Sequence, residues 1–303
     1  MLTNIQAIIM GGLQGITELF PISSLGHSVI FPQLFGWHID QSADSFLAFL
    51  VATHLATALV LFFFYFKDWV LIISGIFRSL KQRTIDTKDT YAKLGWLIIV
   101  GTIPVGILGI LFEQPLKNLF ASPRAAAFFL ILNGLMLWGL EVYKKRHART
   151  QADISIDTPV HILESSESAE LKNPDQQIAD LSWSSAVKVG IAECFALIPG
   201  FSRTGATIGG GLAIGLDHIS AVRYSFLLAT PVIMAAAVLK LPELAVSKDL
   251  SVLGPIIIGS ITSAICAYFS VRFLTKYFKS HTLRLFAIYC VVFGIVASIS
   301  FLL

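Results

Sequence analysis

Apolar runs long enough to cross a bilayer recur six times along this chain. They lie at about Phe46 to Phe66, Leu94 to Phe112, Ala125 to Val142, Ile219 to Leu239, Val252 to Val271 and Leu285 to Leu303. Each approaches the roughly 20 residues that a helix needs to span the hydrocarbon core. Two further apolar runs are interrupted. The first carries a polar knot, Gly15-Ile-Thr-Glu-Leu-Phe-Pro-Ile-Ser-Ser-Leu-Gly-His27, between Ile5 to Leu13 and Val29 to Phe35. The second, Val187 to Leu216, breaks at Pro199-Gly200. Pro21 should stop a helix at about Phe20, because the residue before proline is driven out of helical geometry, and Ser23 or Ser24 can cap the helix that follows. The apolar part of the first arm, Ile5 to Leu13, rises only roughly 14 Å at 1.5 Å per residue, against a core of roughly 30 Å. Both interrupted runs therefore predict re-entrant helical hairpins whose turns line protein or a wet cavity, the only surroundings that tolerate irregular backbone at that depth.

This gives a hairpin and three spans, twice. The expected fold is an all-α polytopic membrane protein with two re-entrant hairpins and six transmembrane helices in one integral domain, residues 1–303. Repeat one covers about 1–147 (hairpin 1–37) and repeat two about 183–303 (hairpin 184–217). Because each half holds an odd number of spans, the halves should be inverted with respect to each other. Gly15-Ile-Thr-Glu18 is echoed by Gly190-Ile-Ala-Glu193, a weak sign of duplication. Residues 148–182, rich in Asp, Glu, Ser and Gln, read as a hydrophilic, partly disordered cytoplasmic loop.

Composition agrees with a membrane protein: 55% hydrophobic and 14% charged residues, with a mean hydropathy of +0.76. A net charge of +3 on 303 residues points to no nucleic-acid partner. Charge placement sets orientation. Residues 67–93 carry six Lys/Arg, 143–183 five and 272–284 four, whereas 1–45 carry none and 113–124 and 240–251 two each. By the positive-inside rule the first group is cytoplasmic and both termini face outward. Cys194, Cys266 and Cys290 sit in apolar segments without metal-ligand spacing, so neither a disulfide framework nor a zinc site is expected.

The knot places Gln14, Thr17, Glu18, Ser23, Ser24 and His27 at membrane depth, where polar groups are costly and usually functional. The second break, Pro199-Gly-Phe-Ser-Arg-Thr-Gly-Ala-Thr207, offers Ser202 as a helix cap, a helix N-terminus for an anion, and the bidentate fork of Arg203 for phosphate oxygens. A glycine-lined packing seam would explain Gly205, Gly209, Gly210 and Gly211, but not an arginine beside a proline break. Together the hairpins suit a phosphate and a hard divalent cation, Mg²⁺ or Ca²⁺, with Glu18 and Glu193 as its carboxylates. Gln14 shares the helical face of Glu18. His27 follows Ser24 by three residues and can serve as its base or be a nucleophile itself. His54, inside the Phe46 to Phe66 run, is a donor to the site or a satisfied core histidine. Lys188 and Arg223 read as snorkelling cations.

The two motifs, Gln14 to His27 and Pro199 to Thr207, resemble the signature pair of the bacterial undecaprenyl-diphosphate phosphatases of the bacitracin-resistance type. The likeness runs along essentially the whole chain and includes Ser225-Phe-Leu-Leu-Ala-Thr-Pro231. It implies hydrolysis of undecaprenyl diphosphate to the monophosphate carrier lipid of cell-wall synthesis, a divalent metal, and a multi-pass protein of the bacterial inner membrane with its active site on the periplasmic side. By position it puts the acidic motif on Gln14 and Glu18, the Ser-Ser-x-Gly-His motif on Ser23, Ser24 and His27, and the phosphate-binding motif on Ser202, Arg203 and Thr207. Glu18, Ser24, His27 and Arg203 are the catalytic candidates, and Ser23, Ser202, Arg203, Thr207 and Gln14 the phosphate-binding ones. Relatives often carry Glu at position 14 and Gln at position 193, so the carboxylate pair here is exchanged between the repeats. Expected partners are a polyprenyl diphosphate lipid, membrane lipids and, as an assembly, a homodimer. The competing reading is a transporter or flippase of a lipid phosphate, since inverted repeats with broken helices are also a transport architecture.

Overall fold

A computed structural model describes residues 2–86, 88–112, 122–156, 173–244 and 253–302. Among these residues the regular structure is helical. The first half contains α1 (Asn4–Thr17), α2 (Ser24–Leu34), α3 (Asp44–Phe64), α4 (Phe66–Gln82), α5 (Thr90–Leu111) and α6 (Pro123–Ile156). The second contains α7 (Pro174–Ala179), α8 (Trp183–Glu193), a 3₁₀ turn (Cys194–Leu197), α9 (Arg203–Ala213), α10 (His218–Leu244), α11 (Leu253–Tyr277) and α12 (Arg284–Ser300).

The interrupted runs fold as short helix pairs. α1 opens on a capping box, in which Thr3 Oγ1 accepts from the Gln6 amide at 3.3 Å and Gln6 Oε1 from the Thr3 amide at 2.9 Å. It stops at Thr17, three residues before the position expected from Pro21. Ser23 then caps α2 by accepting from the Gly26 amide at 3.2 Å, and it does so at φ +69°, a left-handed conformation rare outside glycine. Ser202 caps α9 in the same way, accepting from Gly205 N at 3.0 Å. α1, α2, α8 and α9 hold 14, 11, 11 and 11 residues, so none exceeds roughly 21 Å.

Helix packing repeats between the halves. α1 lies along α11 and α8 along α5, α3 packs on α11 and α10 on α5, and the pairs α3–α10 and α6–α12 close the assembly. These contacts interchange when α1, α3, α5 and α6 are matched with α8, α10, α11 and α12. The echoed tetrapeptides show why. A Cβ on Gly15 would stand 2.2 Å from the carbonyl oxygen of Ser263 on α11, and one on Gly190 2.1 Å from that of Gly101 on α5. Each glycine permits a backbone-to-backbone approach that any side chain would block.

The outer surface is apolar in stripes. Ile99, Ile103, Ile107 and Ile110 on α5, and Ile257, Ile261, Ile265 and Phe269 on α11, are exposed at intervals of three or four residues. Ser263 and Ser270, on the opposite face of α11, are buried. An apolar outside with buried polar groups is the arrangement a lipid environment selects, and the chain is a multi-pass membrane protein. Among the described residues five helices are long and apolar enough to cross: Asp44–Phe64, Thr90–Leu111, Pro123–Arg146, His218–Lys240 and Leu253–Tyr277. The sixth expected span is realised as α12, which at 17 residues is roughly 26 Å long.

Three expectations are corrected. Residues 67–93, read as a connector, contain α4. Its Trp69, Ile72, Gly75 and Ser79 are buried at helical spacing, while Lys67, Arg78 and Lys81 lowered the hydropathy enough to hide it. Ser79 accepts from the Trp96 indole at 2.9 Å, and Arg78 pairs with Asp89 at the start of α5, holding that carboxyl below the usual range through their hydrogen bonds. Within 148–182, residues 148–156 continue α6 and 157–172 lie outside the described residues, but 173–182 are docked. Ile178 is fully buried, Gln176 accepts from Thr90 at 2.8 Å, and Gln177 bonds Asp217 at 3.1 Å. Arg223 does not snorkel. It pairs with Asp175 of α7 at 2.5 Å and with Asp68 of α4 at 2.9 Å, tying three elements together.

Candidate active site

The two helix breaks meet face to face. Thr204 Oγ1 donates to the Glu18 carbonyl at 2.9 Å, and Ser202 Oγ to the Phe20 carbonyl at 3.4 Å. Between them stands Asn133, buried on the N-terminal half of α6. Its Nδ2 donates to the Pro21 carbonyl at 3.1 Å, and its Oδ1 accepts from the Ser202 amide at 3.1 Å. One amide side chain thus satisfies an orphan backbone group in each turn.

Glu18 is the hub. Its Oε1 accepts from Arg203 Nη2 at 2.9 Å. Its Oε2 accepts from Ser24 Oγ at 2.5 Å and Gln14 Nε2 at 3.1 Å, with His54 Nε2 at 3.2 Å. The position of Gln14 one turn before Glu18 on α1 makes their bond local, whereas Arg203 and His54 arrive from α9 and α3. Arg203 Nη1 is buried without a hydrogen-bond partner, as are Gln14 Oε1 and both oxygens of Glu193. Buried polar atoms in that condition call for a ligand, ion or water.

A cavity of about 310 Å³ opens onto this hub. Glu18, Ser23, Ser24, His54, Ser202 and Arg203 form its polar end. Its walls are apolar, from Leu47, Leu50 and Val51 on α3, Phe201 in the second turn, and Ile233 and Ala237 on α10. Gln41 and Lys240 also line it. A charged end with an apolar wall suits an amphiphile whose head is anionic.

The expected residues are thus only partly assembled. Glu18, Ser23, Ser24, Ser202 and Arg203 share the cavity, and Gln14 supports it from behind. His27 is turned away, towards α12. Its Nδ1 donates to the Ser23 carbonyl at 2.7 Å, leaving Nε2 to accept from the Tyr289 hydroxyl at 2.8 Å, and its ring stacks on Phe293 at 5.0 Å. Thr207, one turn after Arg203 on α9, does not line the cavity; it bonds Ser225 at 2.5 Å and donates to the Arg203 carbonyl at 2.9 Å. Glu193 is fully buried and does not line the cavity. His54, left between two readings above, lines the cavity, with Nδ1 donating to the Leu50 carbonyl at 2.7 Å. Asn133 went unremarked in the sequence, although an amide at the centre of an apolar span was a legible signal.

Among the described residues no three His, Cys, Asp or Glu side chains form a metal-binding cluster. The available oxygen donors are the Glu18 carboxylate and the unpartnered Gln14 Oε1. That set fits a hard cation held by one or two protein oxygens and otherwise by phosphate oxygens and water, the habit of Mg²⁺.

Comparison with known proteins gives a consistent picture. The model of the family described as "Bacitracin resistance protein BacA" matches residues 7–296. An "Undecaprenyl-diphosphatase" of Mycolicibacterium paratuberculosis is 45% identical over 97% of this chain and 95% of its own, and one of Mycobacterium avium 44% identical over the same shares. An "Undecaprenyl-diphosphatase 2" of Frankia alni is 38% identical over 99% of this chain and 98% of its own.

Proposed function

The chain belongs to the bacitracin resistance protein BacA family, and from that premise we propose how its geometry removes the terminal phosphate of undecaprenyl diphosphate. The enzyme is an undecaprenyl-diphosphatase, yielding undecaprenyl phosphate and inorganic phosphate and so recycling the carrier lipid of cell-wall synthesis. The observation that carries the mechanism is the convergence of Ser24 and Arg203 on the two oxygens of Glu18. No feature of the site favours a transporter of lipid phosphate over hydrolysis.

In the proposed reaction the diphosphate enters the polar end of the cavity. Arg203 presents its unpartnered Nη1 to a phosphoryl oxygen while Glu18 holds Nη2 and fixes the plane of the fork. The N-terminus of α9, capped by Ser202, turns its positive dipole end to the same group. Ser24 Oγ gives its proton to Glu18 Oε2 and attacks the terminal phosphorus. The bond from that phosphorus to the bridging oxygen breaks, and undecaprenyl phosphate leaves with the electron pair. Water then attacks the phosphorus of the phosphoserine, the bond from phosphorus to Ser24 Oγ breaks, Glu18 Oε2 returns the proton to Oγ, and inorganic phosphate leaves with the protons of the water. His27, with both ring nitrogens engaged, anchors α2 to α12 and so sets the position of Ser24. Glu18 and Gln14 Oε1 are the groups that would hold a divalent cation, whose chemistry is to neutralise phosphate charge. Glu193, at the end of α8, is the other acid whose carboxylate oxygens lie buried without partners.

The apolar walls would take the first isoprene units, with the rest of the chain in lipid. Charge placement supports a cavity mouth on the periplasmic side of the inner membrane, and the short lengths of α1–α2 and α8–α9 support re-entrant hairpins entering from opposite faces. The test is phosphate release from undecaprenyl diphosphate by purified protein, with Mg²⁺ or Ca²⁺ and with chelator. Release that requires the cation and disappears in Arg203→Ala supports the reading. Release that is indifferent to chelator removes the metal, and an active Arg203→Ala removes the phosphate-binding role of α9.

A further inference from the structure

The two hairpins are not filled alike. Counted from the capping serines, His27 and Phe31 on α2 hold the positions of Ala206 and Gly210 on α9. In the first half both rings pack on Phe293 of α12, at 5.0 and 5.7 Å. In the second half α9 brings only a methyl group and a hydrogen atom to those positions, and a groove of about 450 Å³ runs between it, α8 and α6, the counterpart of α12.

Ala206, Gly209, Gly210 and Ala213 line this groove from α9, and Met136 and Leu140 from α6. On α8 it begins at Ser185 and Lys188 and continues past Ala192 to Phe195 in the 3₁₀ turn. Phe195 and Ala213 are exposed, so the groove opens on the outer, apolar surface. From Ser185 to Ala192 α8 rises roughly 11 Å, and the turn carries the groove deeper, about halfway through a hydrocarbon core of roughly 30 Å. In a bilayer such a gap takes up acyl chain, since hydrocarbon surrounds it and an empty gap forfeits the contacts of its lining.

Among the described residues Lys188 is the one charged side chain that lines the groove. It is exposed, and none of the described residues pairs with it. It lies five residues, roughly 8 Å, past Trp183, whose ring carries Lys93 Nζ at 3.6 Å and marks the interfacial end of α8. The lysine stem reaches back to that level by snorkelling. A cation at the shallow end and an apolar trough running inward match a phospholipid, with its phosphate at Lys188 and one acyl chain along α9. No carboxylate among the described residues lines the groove to receive the ammonium of a zwitterionic head group, so the charge complementarity is to an anionic one.

We propose that this groove is a binding site for an anionic phospholipid of the leaflet in which α8 begins, and that the bound lipid supports the hairpin whose second helix starts at Arg203. The groove and the catalytic cavity share none of their lining residues, so the inference stands apart from the diphosphatase reading.

The experiment follows the thermal midpoint of the purified full chain in detergent as dioleoyl phosphatidylglycerol or dioleoyl phosphatidylcholine is added, with light scattering to record the oligomeric state. Wild type, Lys188→Met, Ala213→Phe and Lys145→Met are compared; Lys145 is exposed on α6 and does not line the groove. Phosphatidylglycerol should raise the midpoint of wild type more than phosphatidylcholine does, as a ligand of the folded state. Lys188→Met should need about fivefold more of it for the same rise, the scale of one basic residue against anionic lipid, and Lys145→Met should behave as wild type. Ala213→Phe, which puts a ring into the groove, should keep its lipid-free midpoint and lose the response. Equal responses to the two lipids in wild type, or an unchanged lipid requirement in Lys188→Met, would overturn the proposal. So would an equal loss in Lys145→Met, the mark of unspecific surface charge. A changed oligomeric state in Ala213→Phe with its phosphatidylglycerol response intact would give the groove to a second copy of the chain and likewise overturn it. If Ala213→Phe does not fold, wild type and Lys188→Met decide alone.

Discussion

Arg203 and Glu18 are 185 positions apart in the chain and 2.9 Å apart in space. Neither is useful alone. A carboxylate and a guanidinium buried singly would each carry a desolvation cost of several kcal/mol, and the first hairpin holds no cation of its own to pair with Glu18. Their pairing orients both: Glu18 keeps Oε2 for Ser24, and Arg203 keeps Nη1 for phosphate. Catalytic competence therefore depends on how accurately the two helix breaks are held together.

The nucleophile follows from hydrogen-bond geometry. Ser24 donates to Glu18 and lines the cavity, whereas His27 is occupied on both nitrogens and faces α12. Rapid quench with substrate labelled in the terminal phosphate should trap label on Ser24. Ser24→Ala should lower kcat by about 10²-fold or more, while Tyr289→Phe, which frees His27 Nε2, should reduce the thermal midpoint and leave the site of labelling unchanged. Label on His27 would reverse the assignment.

Asn133 is predicted to matter for stability before chemistry. Asn133→Leu leaves the Pro21 carbonyl and the Ser202 amide unpaired in a dry interior, at about 1–3 kcal/mol for each group. A lower thermal midpoint in detergent, with activity lost in step, is expected. Asn133→Asp keeps the acceptor for the Ser202 amide but not the donor, so it should fall between the two. Normal stability of Asn133→Leu would mean that the turns are held from elsewhere.

The matched glycines make a symmetric prediction. Gly15→Ala and Gly190→Ala each bring a methyl to within 2.2 and 2.1 Å of a backbone oxygen, which forces the helices apart. Overpacking of this kind costs typically about 1–3 kcal/mol. Both variants should lose folded yield in detergent extracts, whereas Gly106→Ala, where no atom lies within 4 Å of the added carbon, should not.

What the sequence determined is what depends on local pattern. Lipid excludes unsatisfied backbone, so long apolar runs could only be helices, and polar breaks too shallow to span could only be turns within protein. Glu18, Ser24 and Arg203 were legible because polar residues at that depth need a purpose, and the caps at Ser23 and Ser202 because a proline break leaves free amides. Amphipathic α4 and the docked segment 173–182 were not, since their charges mimic solvated loop until tertiary partners such as Asp175 and Arg223 are known. The long-range choices belonged to the tertiary structure alone. His27 and His54 look equivalent as intramembrane histidines, yet α12 claims one and the cavity the other. A residue's spacing fixes the face it occupies on its own helix, and only packing against the other helices decides what that face meets.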